Sequence, residues 1–308
     1  MRKLLLVIML AACGQTFAQQ DALYSQYMFN PFAVNPAYAG SRNSYSTVLL
    51  QRFQWVGIDG SPKTSSFAIH APTTKFNLVW GAGVVLDQLG PTRNLNFGGT
   101  VGYQLKFSKS KLTLAVRAGG YHVALDRSAL SFKDQGDIFN INNQIDRTTV
   151  PSFDFGAYYF TKKFYLGVSA NHLSGGKIGF DNETGLADSA GLYLRQHFFL
   201  SSGYVIDLNP NIVFKPSIMA KYAIGAPPNI DLNFSTLFYK RIWLGLSVRN
   251  FTGIVAMLDV NITDFMRIGY AFDYAFTKLQ NYNSGSHELF IGFDFNLKKN
   301  NAVSPRYL

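Results

Sequence analysis

The sequence predicts an all-β fold: a transmembrane antiparallel β-barrel of about fourteen strands, of the outer-membrane type. Three observations predict it. Charged residues make up only 15% of the 308 positions, against about 25% in an ordinary soluble chain, so much of the surface is not built for water. No segment after the N-terminal leader has the roughly 18 consecutive apolar residues of a membrane helix. A chain this apolar can then cross a bilayer only as a closed barrel, whose backbone satisfies its own hydrogen bonds. Finally, apolar and small or polar residues alternate with period two over long stretches.

The elements follow in order. Arg2 and Lys3 open a basic region, Leu4 to Ala12 form a short apolar core, and Thr16-Phe17-Ala18 places small residues before a cleavage point after Ala18. Residues 1–18 thus read as a signal peptide. Leu10-Ala11-Ala12-Cys13 also resembles a lipobox, which would put a lipid on Cys13 instead. With cleavage after Ala18 the only cysteine leaves, and neither a disulfide nor a thiol site remains. The net charge of +10 becomes +8, since Arg2 and Lys3 leave and no acid goes with them. An exported chain seldom meets nucleic acid, so this basic balance points to lipopolysaccharide phosphates, an acidic partner, internal pairing, or lysines snorkelling at membrane rims. Residues 19–44, aromatic and rich in Asn and Pro, form a segment long enough to plug a lumen or to reach a periplasmic partner.

Residues 45–297 carry the barrel signal. Leu95, Phe97, Val101, Tyr103, Leu105 and Phe107 share one face, with Asn96, Gly98, Thr100, Gly102, Gln104 and Lys106 on the other. Leu112, Leu114 and Val116 oppose Thr113, Ala115 and Arg117, and Leu289, Ile291, Phe293 and Phe295 oppose Glu288, Phe290, Gly292 and Asp294. The spans expected are 45–54, 63–71, 77–88, 94–107, 111–124, 152–160, 163–171, 191–206, 211–222, 230–240, 241–250, 254–262, 265–276 and 286–297. Many are near the 9–11 residues of a membrane strand. With both termini periplasmic, short connections alternate with longer ones such as 125–151 and 172–190, the rhythm of a bacterial barrel. Residues 298–308 form a polar tail.

Catalytic and metal chemistry find little support. Ser286 and His287 are adjacent, but neighbouring strand residues point to opposite faces and cannot act as nucleophile and base. His70, His122, His172, His197 and His287 lack paired metal-ligand spacing. Gly81-Ala82-Gly83 lies within a strand, with no following helix to cradle a phosphate. No cofactor is expected and the chain reads as a non-enzyme. The inward faces do carry charges. Alternation places Arg117, Arg195, Lys221, Arg241, Arg249 and Arg267 inside, together with Asp154, Asp231, Asp273, Glu288 and Asp294. They form either an ionic network that stiffens the wall or a surface for a partner segment.

Particular residues carry a resemblance. Tyr24-Ser25-Gln26-Tyr27, Asn30-Pro31 and Asn35-Pro36-Ala37-Tyr38-Ala39-Gly40 are followed by Gln51-Arg52 and Trp55. Pro216-Ser217, Lys221-Tyr222 and Asp231-Leu232-Asn233 come later, then Gly269-Tyr270-Ala271-Phe272-Asp273 and Ser284-Gly285-Ser286-His287-Glu288. In this order they resemble the PorP/SprF family of type IX secretion system membrane proteins of Bacteroidota. The resemblance implies an outer-membrane component surrounded by lipid. It would associate with periplasmic ring subunits and support export or surface attachment of cargo, such as gliding adhesins, through a C-terminal domain. A passive porin for small solutes and a soluble β-sandwich adhesin are the competing readings.

Overall fold

The computed structural model describes residues 24–130, 145–178 and 192–296. The leader with Cys13, the tail from residue 298 and parts of the two long loops lie outside the described residues. Among those described, fourteen antiparallel strands close into a barrel. They are β1 (Ser44–Phe53), β2 (Lys63–Pro72), β3 (Leu78–Leu89), β4 (Thr92–Lys106), β5 (Lys111–Asp126), β6 (Ile145–Phe160) and β7 (Phe164–Asn171). Next comes β8, in two pieces (His197–Tyr204 and Ile206–Asn209), then β9 (Ile212–Ala223) and β10 (Asn229–Phe238). The last four are β11 (Ile242–Arg249), β12 (Gly253–Asn261), β13 (Met266–Ala275) and β14 (Ser286–Asn296). Each strand pairs with its neighbours in sequence, and β1 closes on β14 from Ser44↔Asn296 to Phe53↔His287. Closure leaves no sheet edge to be satisfied in lipid.

Two strands depart from the expected spans. β6 begins at Ile145 rather than near 152, because residues 145–151 continue the ladder with Gly120–Asp126. β4, β5 and β6, at 15, 16 and 16 residues, exceed the length that spans a bilayer. Their extension is held by the buried cluster of Tyr121, Val123, Val150, Ile178 and Leu194 and by the Arg127–Asp146 ion pair. The eighth strand starts only at His197, since Leu192–Tyr193 instead pair with Lys177–Ile178 in a separate short ladder.

The register defines two rims. At the rim where β1 begins and β14 ends, connections are turns such as 107–110, 161–163 and 239–241. The opposite rim carries the longer connections, with 90–91 and 250–252 as short exceptions. The wall separates two environments residue by residue. Leu49 is 46% exposed where Leu50 is 4%, and Ile291 is 40% exposed where Phe290 is 2%. The outward aliphatic and aromatic side chains form the surface that meets lipid.

The inward face is not purely polar, as a water-filled lumen would require. Val48, Leu50, Val79, Val213, Met219, Leu237, Trp243, Val255 and Met257 turn inward and are buried with Tyr24, Tyr27, Met28, Phe29 and Phe32 of the N-terminal segment. Residues 24–43 therefore lie between the walls, and only Pro31, Ala33 and Asn43 among them escape full burial. Two short 3-10 turns, Pro31–Ala33 and Pro36–Tyr38, shape the segment. A proline at the first position of each fixes φ without forfeiting a needed N–H. The Asn35 side chain accepts from Ala37 N at 2.9 Å. The wall makes room by omission: a Cβ at Gly81 would come within 2.6 Å of Phe32 Cζ.

Candidate functional site in the barrel interior

The charged residues of the interior gather into three groups, each set by strand register. Near the loop rim, Arg52 and Glu288 are direct cross-strand partners, as are Asp231 and Arg249. Arg52 reaches Glu288 at 3.2 Å and Asp273 at 3.1 Å. Arg249 reaches Asp273 at 2.7 Å and Asp231 at 3.6 Å, and Lys221 Nζ donates to Asp231 at 2.6 Å. Three cations thus balance three carboxylates, with Asp231 and Glu288 fully buried. Burying such charges is costly, and pairing with good geometry offsets that cost.

This group also holds the N-terminal segment by its main chain. Glu288 accepts from the backbone N–H of Ser25 and of Gln26, each at 2.8 Å. Arg52 donates to Ser25 Oγ at 2.6 Å, and Arg249 to the Tyr24 carbonyl at 3.4 Å. The Tyr27 ring lies under Lys221 Nζ at 4.8 Å, and its hydroxyl accepts from Asn233 at 2.5 Å.

A second group sits near the turn rim. Arg267 donates to the Phe29 carbonyl at 3.0 Å and reaches Asp259 at 3.4 Å and Asp294 at 3.7 Å. Arg42, from the N-terminal segment itself, pairs with Asp294 at 2.7 Å. Lys215 joins them over the Trp243 ring at 5.1 Å. A Cβ at Gly292 would meet Arg267 Nε at 2.7 Å, so the glycine leaves space for the guanidinium.

The third group lies on the opposite wall. Arg117 and Asp154 are cross-strand partners at 3.4 Å. Arg117 also donates to the Phe32 carbonyl at 2.6 Å and stacks over the Phe32 ring at 4.7 Å. The Val34 carbonyl accepts from Ser169 at 2.8 Å and Asn171 at 3.3 Å, and Asn35 Nδ2 donates to Ala157 O and Val168 O. Most of these contacts read backbone rather than side chain. A cavity of about 80 Å³ remains between the segment and this wall, and one of about 20 Å³ beside Lys215.

Two residues expected in this interior stand elsewhere. Arg241 is exposed in the turn after β10, where Tyr239 and Lys240 take positive φ and end the alternation. Arg195 precedes β8 and lies over the Tyr193 ring at 5.7 Å, because the strand begins two residues later. Arg117, Lys221, Asp231, Arg249, Arg267, Asp273 and Glu288 come together as described. Arg42, Arg52, Lys215 and Asp259 join them without having been read from the sequence. Arg52 follows Val48 and Leu50 on the inward face of β1, and an apolar inward face hides the phase of alternation. Asp259 follows Val255 and Met257 in the same way.

Elsewhere, Ser286 and His287 do point apart. Ser286 Oγ accepts from Trp55 N at 3.1 Å, while His287 Nδ1 lies 2.7 Å from the Tyr270 hydroxyl on the outer face. Ser152 Oγ is 2.8 Å from His172 Nδ1, and Asp154 accepts from the His172 backbone N–H. The His172 and His197 rings meet edge to face with centroids 5.9 Å apart.

Solved structures resemble this chain at low identity. CymD, a monoaromatic hydrocarbon channel, superposes with a TM-score of 0.51 at 11% identity, over 91% of this chain and 95% of that one. The Pseudomonas putida toluene transporter TodX gives 0.49 at 11% identity, over 92% and 96%. Omp33 of Acinetobacter baumannii gives 0.46 at 10%, over 82% and 99%. The likeness to CymD extends to the barrel fold and no further. No curated protein matches the sequence. The family model for type IX secretion system membrane protein PorP/SprF matches residues 16–293, which includes both the N-terminal segment and all but the end of the last strand that holds it. An outer-membrane barrel matched over nearly its whole length by that model belongs to the PorP/SprF family of type IX secretion system membrane proteins.

Proposed function

We propose that this barrel works as a non-enzymatic docking and anchoring component of the type IX secretion system, with residues 24–43 acting as a fixed plug. In this reading the turn rim faces the periplasm and meets ring subunits, while the loop rim supports export or surface attachment of cargo such as a gliding adhesin. The occupied bore carries the reading. Five backbone carbonyls and three backbone N–H groups of the segment bond to wall side chains. A porin built for solute flow would need to displace every one of them. Family membership supplies the system, and the filled bore favours a scaffold over a passive channel.

The test has two arms. Purified protein reconstituted in planar bilayers is expected to be electrically quiet, and tagged protein extracted from its native membrane is expected to bring down ring subunits or an adhesin C-terminal domain. A large, stable, partner-free conductance would instead support the porin reading. A quiet barrel that co-purifies with neither class of partner would refute the docking role.

A further inference from the structure

The bore is filled unevenly. On the β10–β14 side, inward residues such as Asp231, Asp273 and Glu288 are buried right up to the loop rim. Against β3 and β4 burial stops halfway. Val79, Thr100 and Gln104, nearer the turn rim, are buried. Gly83, Val85, Asp87, Asn94 and Asn96, nearer the loop rim, share the inward face and yet stay half-buried. The N-terminal segment thus leaves a cup that opens at the loop rim, with Phe32 and Val34 of the segment in its lining. This is the cavity of about 80 Å³, with room for roughly six water molecules.

The wall is hollowed there by a row of glycines. Gly83 pairs with Gly98, and Gly98 with Gly119, across three neighbouring strands on the inward face. A Cβ at Gly83 would meet nothing nearer than the Phe67 carbonyl at 3.6 Å, so its space is free. At Gly98 a Cβ would strike Arg117 Cγ at 2.9 Å, so that glycine seats the arginine. The charges of the lining are engaged. Arg117 pairs with Asp154, and Asp87 accepts from Thr64 Oγ1 at 2.5 Å. The neutral groups are not. Among the described residues, the side-chain amides of Asn30, Asn94 and Asn96 make no hydrogen bond. Ser66 Oγ and Asn171 Oδ1, also in the lining, are buried without a partner. Each amide carries two donors and an acceptor. Phe32, Phe199 and Val85 add apolar surface beside them.

We propose that this cup binds an uncharged saccharide presented at the loop rim, with Asn94, Asn96 and Asn30 bonding its hydroxyls and Phe32 or Phe199 packing on its apolar face. Unspent amides beside apolar faces, with every charge engaged, match a ligand that is neutral and rich in groups that both donate and accept. A peptide strand fits less well, because the closed barrel offers it no sheet edge and the N-terminal segment blocks the way through the bore. Binding at the cup needs neither ring subunit nor cargo, so its failure would leave the docking role standing.

The test applies folded protein in lauryldimethylamine oxide, a detergent without sugar, to an array of immobilised mono- and oligosaccharides. The best-bound sugar is then titrated as its free methyl glycoside by calorimetry. The native chain is expected to bind a neutral glycan. Asn94→Ala/Asn96→Ala lowers that affinity about tenfold, the effect of two lost hydrogen bonds. Gly83→Leu, which places a side chain in free space, abolishes binding, while Asn261→Ala near the turn rim leaves it unchanged. Heat-modifiable gel migration verifies that each variant is folded, and Asn94→Ser alone gives a partial loss if the double variant is not. A native chain that binds no glycan on the array, or one whose binding survives both the Asn and the Gly83 variants, overturns the proposal. So does equal affinity for an uncharged pentapeptide of Gly and Asn, which would assign the cup to a polypeptide main chain.

Discussion

The two charge groups on the β9–β14 side of the bore hold the same segment in different ways. Near the loop rim the wall supplies every charge, cations and carboxylates match, and Glu288 takes two backbone N–H groups of the segment. Near the turn rim the segment supplies a charge of its own, Arg42, and three cations face only Asp259 and Asp294. The difference teaches where the barrel depends on its N-terminal segment. At the loop rim, removing the segment would strip hydrogen bonds from a network that still balances. At the turn rim, removing it would take a cation from Asp294 but relieve an excess of positive charge. The loop-rim group is the tighter latch, and the turn-rim group is the more adjustable one.

Four substitutions break or sharpen this contrast, read as denaturant unfolding midpoints of the folded barrel in micelles. Glu288→Ala has the largest effect, because Arg52 and two backbone donors lose a fully buried partner; a loss of about 3–5 kcal/mol is expected. Arg42→Gln removes one charge-assisted bond at the turn rim and is expected to cost about 1.5–3 kcal/mol. If that ranking is reversed, the contrast between the latches is wrong. Lys215→Met is expected to change stability by less than about 1 kcal/mol, or to raise it, since an apolar chain over Trp243 replaces the surplus cation. Arg241→Gln, on the exposed turn, is expected to stay within about 0.5 kcal/mol; a larger loss would return that residue to the buried network.

The outer face was legible in the sequence because lipid imposes a simple demand on it. Phe97, Val101, Tyr103, Leu114, Val116, Leu289 and Ile291 all stand exposed on the outer wall, as their alternation required. Strand number and order followed from the same pattern. The inner face answers to the N-terminal segment rather than to solvent. Where that segment presents Tyr27, Met28 and Phe29, the wall answers with Val213, Met219, Trp243 and Met257, and the polar half of the alternation disappears. Arg52 and Asp259 were hidden by this. Arg241 and Arg195 show the converse error, in which a phase counted along a strand is carried past its end.

Sequence could not show the main-chain contacts at all. Glu288 was legible as an inward carboxylate, but not as the acceptor for two amides more than 260 positions away in the chain. Any residue other than proline offers an N–H, so no side-chain pattern marks those partners. The same holds for the carbonyls of Phe29, Phe32 and Val34, which Arg267, Arg117 and Ser169 take up.

Residue-resolved hydrogen exchange of the barrel in a membrane mimetic tests the central claim most directly. The Ser25 and Gln26 amides, bonded to a fully buried Glu288, are expected to exchange as slowly as strand amides such as that of Leu289. Exchange of both at the rate of an open peptide, beside a protected barrel, would contradict a segment locked within the wall.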